Sequence, residues 1–413
     1  MRFHFAPRGF ADIILPAMNP LMLHEFHQGL RASFGELNGA QLVNDYGDWL
    51  AEHTALHETA GVIDLSFRCR ICLVGADRAR YLHGQVTNDV KKLRTGEGCY
   101  SAITTAKGKM ESDLNIFALA DELLLDFEPG LTGKISARLE KFIVADDVQI
   151  VDAAPHYGLL SVQGPQAETV VRALGLFTDI PAQPLGSMKI SDATLGEIYL
   201  INHARLDSSW WGETPSSPNL SVSEKGSNGR APHQKIYGFD LFVPNNSLGA
   251  VADKLIAAAK QIGGRACGWQ AFETARIEAG IPRFGADMDE TNIPLECGPA
   301  LRDAVVYNKG CYIGQEVINR IHSIGHVNKE LRGLRLADDS STLPARGDKL
   351  LHAGKEVGYV TTAVKSPALN ANIAFSYVRR EANQIGNELT LRTAAGDRLA
   401  KIVRLPFMPA ALS

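Results

Sequence analysis

No stretch of this 413-residue chain stays apolar for the roughly 20 residues that a membrane-crossing helix needs, so no membrane partner is expected. Neither sign of charge dominates. The 42 Lys and Arg stand against 46 Asp and Glu, for a formal net charge of -4, and no basic cluster marks a nucleic-acid surface. Cysteine is scarce and scattered: Cys69, Cys72, Cys99, Cys267, Cys297 and Cys311 lack the spacing of a disulfide framework, which points to reduced thiols and a cytoplasmic location. Only Cys69 and Cys72 have CxxC spacing, and the alternating residues 67–74 predict a strand, on which positions three apart face opposite ways. With no second CxxC to complete a zinc ribbon or a four-cysteine cluster, no metal site is expected. Nor is a secretory leader: the apolar patch Ile13-Ile14-Leu15 is cut by Pro16, so residues 1–24 read as an N-terminal tail, with Met18 and Met22 as alternative starts.

What is present fits an α+β protein of two or three domains, since the 45% hydrophobic content of so long a chain exceeds what one core serves. A strand, glycine turn and helix recur at residues 71–82 and 159–174, the second helix opening on Pro165. An amphipathic helix is predicted from Leu248 to Ile262, with Val251, Leu255, Ile256, Ala259 and Ile262 on one face and Gly263-Gly264 as its stop. Residues 203–235 break the periodicity with Ser, Pro and Gly and read as a loop insertion, in which Trp210 and Trp211 cover a sheet edge or dock a partner. From residue 326 onward, short strands at 331–336, 356–363, 372–379 and 388–393 predict a small antiparallel barrel or sandwich.

One octapeptide stands out, Lys309-Gly310-Cys311-Tyr312-Ile313-Gly314-Gln315-Glu316. A cation beside a thiol favours the thiolate, and flanking glycines admit close approach, so Cys311 is a candidate functional thiol. A glycine turn around a packed Cys would share the composition. The whole motif resembles the signature of the folate-binding YgfZ family, relatives of the glycine-cleavage T-protein (aminomethyltransferase) that support maturation or repair of iron–sulfur enzymes. Residues 61–66 with 82–90, then 105–110, resemble two folate-facing blocks of that superfamily, and residues 277–282 with 287–290 resemble the strand-turn segment before its cysteine motif.

The resemblance implies a T-protein/YgfZ-like α+β fold: two folate-binding α+β domains around a central channel over residues 25–325, and a C-terminal β-barrel over 326–413. It implies tetrahydrofolate, or a one-carbon derivative, as cofactor and iron–sulfur client or assembly proteins as partners. Asp240 falls at the pterin-reading carboxylate, where a charge-assisted pair would hold the amino-pyrimidinone edge; a strand-edge Asp facing water is the other reading. Asp113 falls where aminomethyltransferases carry an Asp near the reactive folate nitrogens, able to orient or exchange a proton if buried, or else is a solvated strand end. Asn88, Asp89, Arg276, Lys309, Tyr312 and Gln315 are the remaining implied folate contacts, Arg276 alternatively being a structural cation. Two departures stand out: the Thr-Gly-Glu element that usually occupies the place of the insertion is missing, and Gln270-Ala271-Phe272-Glu273 replaces an Arg-Asp pair whose Arg holds folate's glutamate tail. The first removes the pteridine contacts of that element, and the second, together with the cysteine octapeptide, favours the YgfZ reading over a folate-dependent aminomethyltransferase; a non-catalytic folate-binding regulator is the third.

Overall fold

The computed structural model describes residues 19–207, 237–337 and 342–407. Most of the expected tail and most of the insertion, with Trp210 and Trp211, lie outside the described residues.

Two sheets face each other and are capped by helices on their outer sides. The first has the strand order Gly98–Thr104, Met110–Ala118, Glu122–Phe127, Cys69–Val74, Gln149–Asp152 and is antiparallel throughout. The second runs Ser187–Asp192, Gly196–Asn202, Tyr237–Pro244, Tyr157–Gly164, Gly61–Asp64, Arg265–Ala266, and only the last pairing is parallel. Strand alternation assigns each residue to a layer. On Cys69–Val74, Cys69, Ile71 and Leu73 pack outward against helices Arg78–His83 and Thr132–Glu140, whereas Cys72 faces the second sheet. The two cysteines therefore lie on opposite faces, as their strand position predicts. In the second sheet Phe239, Leu241 and Val243 meet helices Ala167–Arg172 and Leu248–Gln261, while Phe242 turns inward to Phe117 and Leu124.

Helix Leu248–Gln261 forms as its periodicity predicts, burying Leu248, Val251, Ala252, Leu255, Ile256 and Ala259. Leu248, Val251, Leu255 and Ile256 each contribute about 1.5–3 kcal/mol when fully buried. The C-terminal strands close into a six-stranded barrel, in the order Lys329–Leu336, Ala371–Arg379, Lys355–Ser366, Lys349–His352, Glu388–Thr393, Gly396–Val403. Its closure removes the exposed edges that an open sheet would present. The barrel docks on the rest through Leu331, Phe375 and Tyr377, which pack on Ile277, Phe284 and Leu301.

Two expectations change. Leu21 and Leu23, within the segment read as a tail, are buried, and helix His24–Gly29 anchors through His27 Nε2, 2.9 Å from Asp64. Residues 277–282 do not begin as a strand: helix Trp269–Glu278 runs through Ile277 and Glu278 before the chain turns at Gly280.

Gly238 allows the segment leaving strand Gly196–Asn202 to lie directly on the neighbouring strand. A Cβ at this position would stand 2.3 Å from Gln163 Oε1 and 2.5 Å from both Ala204 Cα and His203 O. Gly238→Ala is expected to cost about 1–3 kcal/mol, through overpacking against backbone, and to move residues 203–205 outward. Chemical denaturation compared with the wild type measures it.

Candidate functional site

At one end of the layer between the sheets the inward positions cease to be apolar. Asp113 and Asn115 precede Phe117 on one strand, Asp126 follows Leu124 on the next, and Asp240 precedes Phe242 on the facing sheet. Buried charge survives only when paired, and four arginines supply the pairing. Arg205 lies 2.7 Å from Asp240 and 2.9 Å from Asp126. Arg68 joins Asp126, at 2.7 Å, to Glu128. Arg283 continues from Glu128, at 3.0 Å, to Glu273, at 3.3 Å. Arg276 links Glu273, at 2.6 Å, to Asp287, at 2.8 Å. Burial pushes the Asp126 carboxyl up, but Arg68 and Arg205 outweigh it and hold it well below the carboxylate range. Burial likewise opposes ionisation of Glu273, and Arg276 and Arg283 hold it at about 2.

This belt surrounds a cavity with Tyr100, Trp269 and Phe272 among its walls. Asp113 opens into it and stands apart from the belt. Its carboxylate accepts a 2.7 Å hydrogen bond from Tyr100 Oη, and among the described residues no cation forms an ion pair with it. Burial and then repulsion from Glu128 push its pKa up to about 6. One donor also lacks a partner: Nε of Arg283 is buried and unbonded among the described residues, although the side chain lines the cavity and lies over the Trp269 ring.

Of the residues singled out in the sequence, Asp113 and Arg276 line this cavity. Asp240 does not. It is fully buried behind His203 and Arg205, and both its oxygens are engaged by them, so it is neither a water-facing strand end nor free to read a pterin directly. Asp240 instead fixes the two side chains that do line the cavity. Burial and Arg205 lower the pKa of His203 below the usual value, which leaves it neutral and its Nδ1–H donated to Asp240.

The other candidates assemble elsewhere. Lys309 is buried and its Nζ donates to the carbonyls of His83, Val86 and Asn88, each at 2.6 Å, beneath the ring of Tyr312. Burial brings this ammonium down to about 8. Its three donors are spent on that turn, which ties the cysteine loop to residues 83–88. Asn88 donates to Tyr100 O, Asp89 pairs with Lys92 at 3.0 Å, and Gln315 starts helix Gln315–Ile324. Cys311 is exposed, whereas four of the other cysteines are buried and Cys99 is half-buried.

Arg68, Tyr100, Glu128, His203, Arg205, Trp269 and Arg283 were not singled out in the sequence. The signal available was alternation, because Asp113 and Asn115 share the face of strand Met110–Ala118 that carries Phe117 inward. Charged residues at inward positions require partners, but which arginines supply them depends on how the two sheets face each other.

Residues 23–213 and 236–308 match the GCVT N-terminal domain, and residues 329–408 match the glycine cleavage T-protein C-terminal barrel domain. The chain belongs to the glycine cleavage T-protein family. T-protein relatives include an aminomethyltransferase of Halalkalibacterium halodurans, 28% identical over 375 residues, covering 88% of this chain and 93% of that protein. Another, from Cupriavidus necator, is 28% identical over 401 residues, covering 94% and 96%. The fold of the glycine cleavage system aminomethyltransferase T of Bartonella henselae superposes with a TM-score of 0.79 at 21% identity, covering 96% of this chain and all of that one. The T-protein fold, with α+β domains followed by a closed barrel, is therefore the fold of this chain.

The raised pKa of Asp113 sets a pH signature. A carboxyl whose folded pKa of about 6 exceeds its usual 3.8 stabilises the fold below the lower value, and that contribution is lost as pH rises through the upper one. Asp113→Asn should therefore come close to wild-type stability near pH 4 and exceed it by about 2–3 kcal/mol at pH 8, read from urea unfolding at both pH values.

Proposed function

We propose that this T-protein family member binds a reduced folate, tetrahydrofolate, in the inter-sheet cavity and transfers a one-carbon unit to it as an aminomethyltransferase-like enzyme. The observation that carries the reading is Asp113: a carboxylate poised near pH 6, open to the cavity and outside the charge belt. A group of that basicity is mostly ionised at neutral pH, yet takes up a proton readily enough to serve as general base. As a folate nitrogen forms its new bond to the one-carbon unit, the carbon's bond to the sulfur of the loaded lipoyl carrier breaks and the thiolate leaves with the electron pair; the nitrogen must then lose a proton, which Asp113 can accept while Tyr100 holds the carboxylate in place.

The other residues suit the same ligand. Trp269, Phe272 and Tyr100 offer flat apolar surface to a pterin and its aminobenzoyl ring. The unpaired Nε of Arg283 offers a donor to a ligand carboxylate. That takes over the part which Phe272, standing where relatives carry an arginine, cannot play. The four cavity arginines, already paired, give the site fixed positive edges without a large net charge. Asp113→Asn should lower turnover of tetrahydrofolate with an aminomethyl-loaded lipoyl carrier protein by about 100-fold or more. The folate Kd should stay within about threefold, since the amide keeps the bond to Tyr100. Turnover equal to wild type would remove Asp113 from the chemistry.

A second reading, folate-linked support of iron–sulfur enzymes in the manner of the YgfZ proteins, is favoured by the exposure of Cys311 within its octapeptide. Burial pushes the thiols of Cys99 and Cys297 up to about 12. Alkylation at pH 8 with mass-spectrometric mapping should therefore label Cys311 first. Cys311→Ala should retain folding and folate binding in either case. Only the second reading predicts that this variant fails to restore iron–sulfur enzyme activity in a deletion strain.

A further inference from the structure

Away from the cavity, helix Trp49–Glu58 carries His53 and His57 one turn apart on the face that packs on helix Trp269–Glu278, whose last residue is Glu278. Their donor atoms converge on one point. His53 Nε2 lies 2.7 Å and His57 Nε2 3.0 Å from the same oxygen, Glu278 Oε2, and the two nitrogens are 3.2 Å apart. We propose that His53, His57 and Glu278 bind a single divalent transition-metal cation that fastens the two helices to the barrel.

The separations are those of a coordination sphere. Donors bonded to one cation at 2.0–2.1 Å stand about 2.9 Å apart in cis-octahedral positions and about 3.3 Å apart in tetrahedral ones. The triangle here, with sides of 2.7, 3.0 and 3.2 Å, needs little movement to accept an ion. Two imidazoles and one carboxylate suit zinc and the neighbouring first-row divalent ions. Support around the carboxylate is already built: Glu278 Oε1 accepts hydrogen bonds from Ser366 Oγ and from Ala368 N, at 2.5 and 3.3 Å, which leaves Oε2 directed at the histidines. Both acceptor contacts come from the barrel side, at and just beyond the end of strand Lys355–Ser366. His53 and Glu278 are buried, while the His57 side chain keeps 16% of its surface exposed, giving the ion an approach and a water molecule room as a further ligand. On binding, the cation takes the Nε2 lone pairs, so each imidazole binds as the neutral tautomer with its proton on Nδ1, and the proton otherwise donated from Nε2 to Oε2 moves to Nδ1 through solvent.

The ion would act through position, not chemistry, because helix Trp269–Glu278 also carries Phe272 and Arg276 into the cavity. The test uses the full chain, stripped with a chelator that is then removed, and titrated with Co2+ or Zn2+. One equivalent of Co2+ should give visible d–d bands without the near-ultraviolet absorption of a cobalt–thiolate, which separates this site from the cysteines. Excess Zn2+ should raise the thermal midpoint. His57→Ala should abolish the bands and weaken Zn2+ by about 100-fold or more, while the circular dichroism stays that of the wild type. His57→Gln, which keeps a donor to Glu278, repeats the test should the Ala variant not fold. Wild-type protein without cobalt bands or a Zn2+-dependent midpoint would show that the triad is a hydrogen-bonded network only and overturn the proposal. Unchanged metal affinity in the folded His57 variants would overturn it too.

Discussion

Charge buried between two sheets has to be neutralised locally, and the candidate site is organised by how this chain does so. Asp240, Arg205, Asp126, Arg68, Glu128, Arg283, Glu273, Arg276 and Asp287 alternate in sign along one continuous run of ion pairs. Removing a single partner from a buried pair costs about 3–5 kcal/mol, so each member holds its neighbours in place. A site enclosed by such a belt is preorganised, and its dipoles need little rearrangement when a ligand arrives. Asp113 gains its character from being left out: it shares the burial and the proximity of Glu128 without an arginine of its own.

The belt also explains the division of labour among residues that look equivalent in sequence. Asp240 and Asp113 are both inward-facing strand carboxylates. One is consumed by His203 and Arg205, whereas the other accepts a hydrogen bond from the Tyr100 phenol and, among the described residues, forms no ion pair. Likewise Lys309 and Arg276 are both buried cations, but the lysine closes a turn by binding three carbonyls whereas the arginine reaches the cavity wall. The exposed Cys311 therefore sits on a loop that Lys309 ties to residues 83–88, and it is not among the residues lining the cavity.

Much of the fold was legible in the sequence because it rests on local periodicity. Helix Leu248–Gln261 follows from its apolar face, and Cys69 and Cys72 follow from strand alternation. Four barrel strands were legible for the same reason. Lys349–His352 was not, being only four residues long, nor was Gly396–Val403, whose apolar positions are interrupted by charge. The site was legible only in part, because its identity is non-local. Asp113 could be picked out on its own strand, but its partners come from segments far apart in the chain. Residues 203–207 illustrate the limit: polar composition grouped them with the insertion, yet the buried His203 and the half-buried Arg205 line the cavity, tied down by Asp240 of the adjacent strand. Composition reports what a segment contains, whereas this site depends on which strand lies beneath it.

If the belt and its aromatic walls form a reduced-folate site, the full chain must bind tetrahydrofolate there. Isothermal titration of the full chain with tetrahydrofolate should show saturable binding of one equivalent. That binding should weaken about tenfold or more in Arg283→Met, which removes the unpaired donor while preserving much of the side chain's bulk. No heat of binding at millimolar tetrahydrofolate, or full affinity in the folded Arg283→Met variant, would contradict the assignment of the ligand to this cavity.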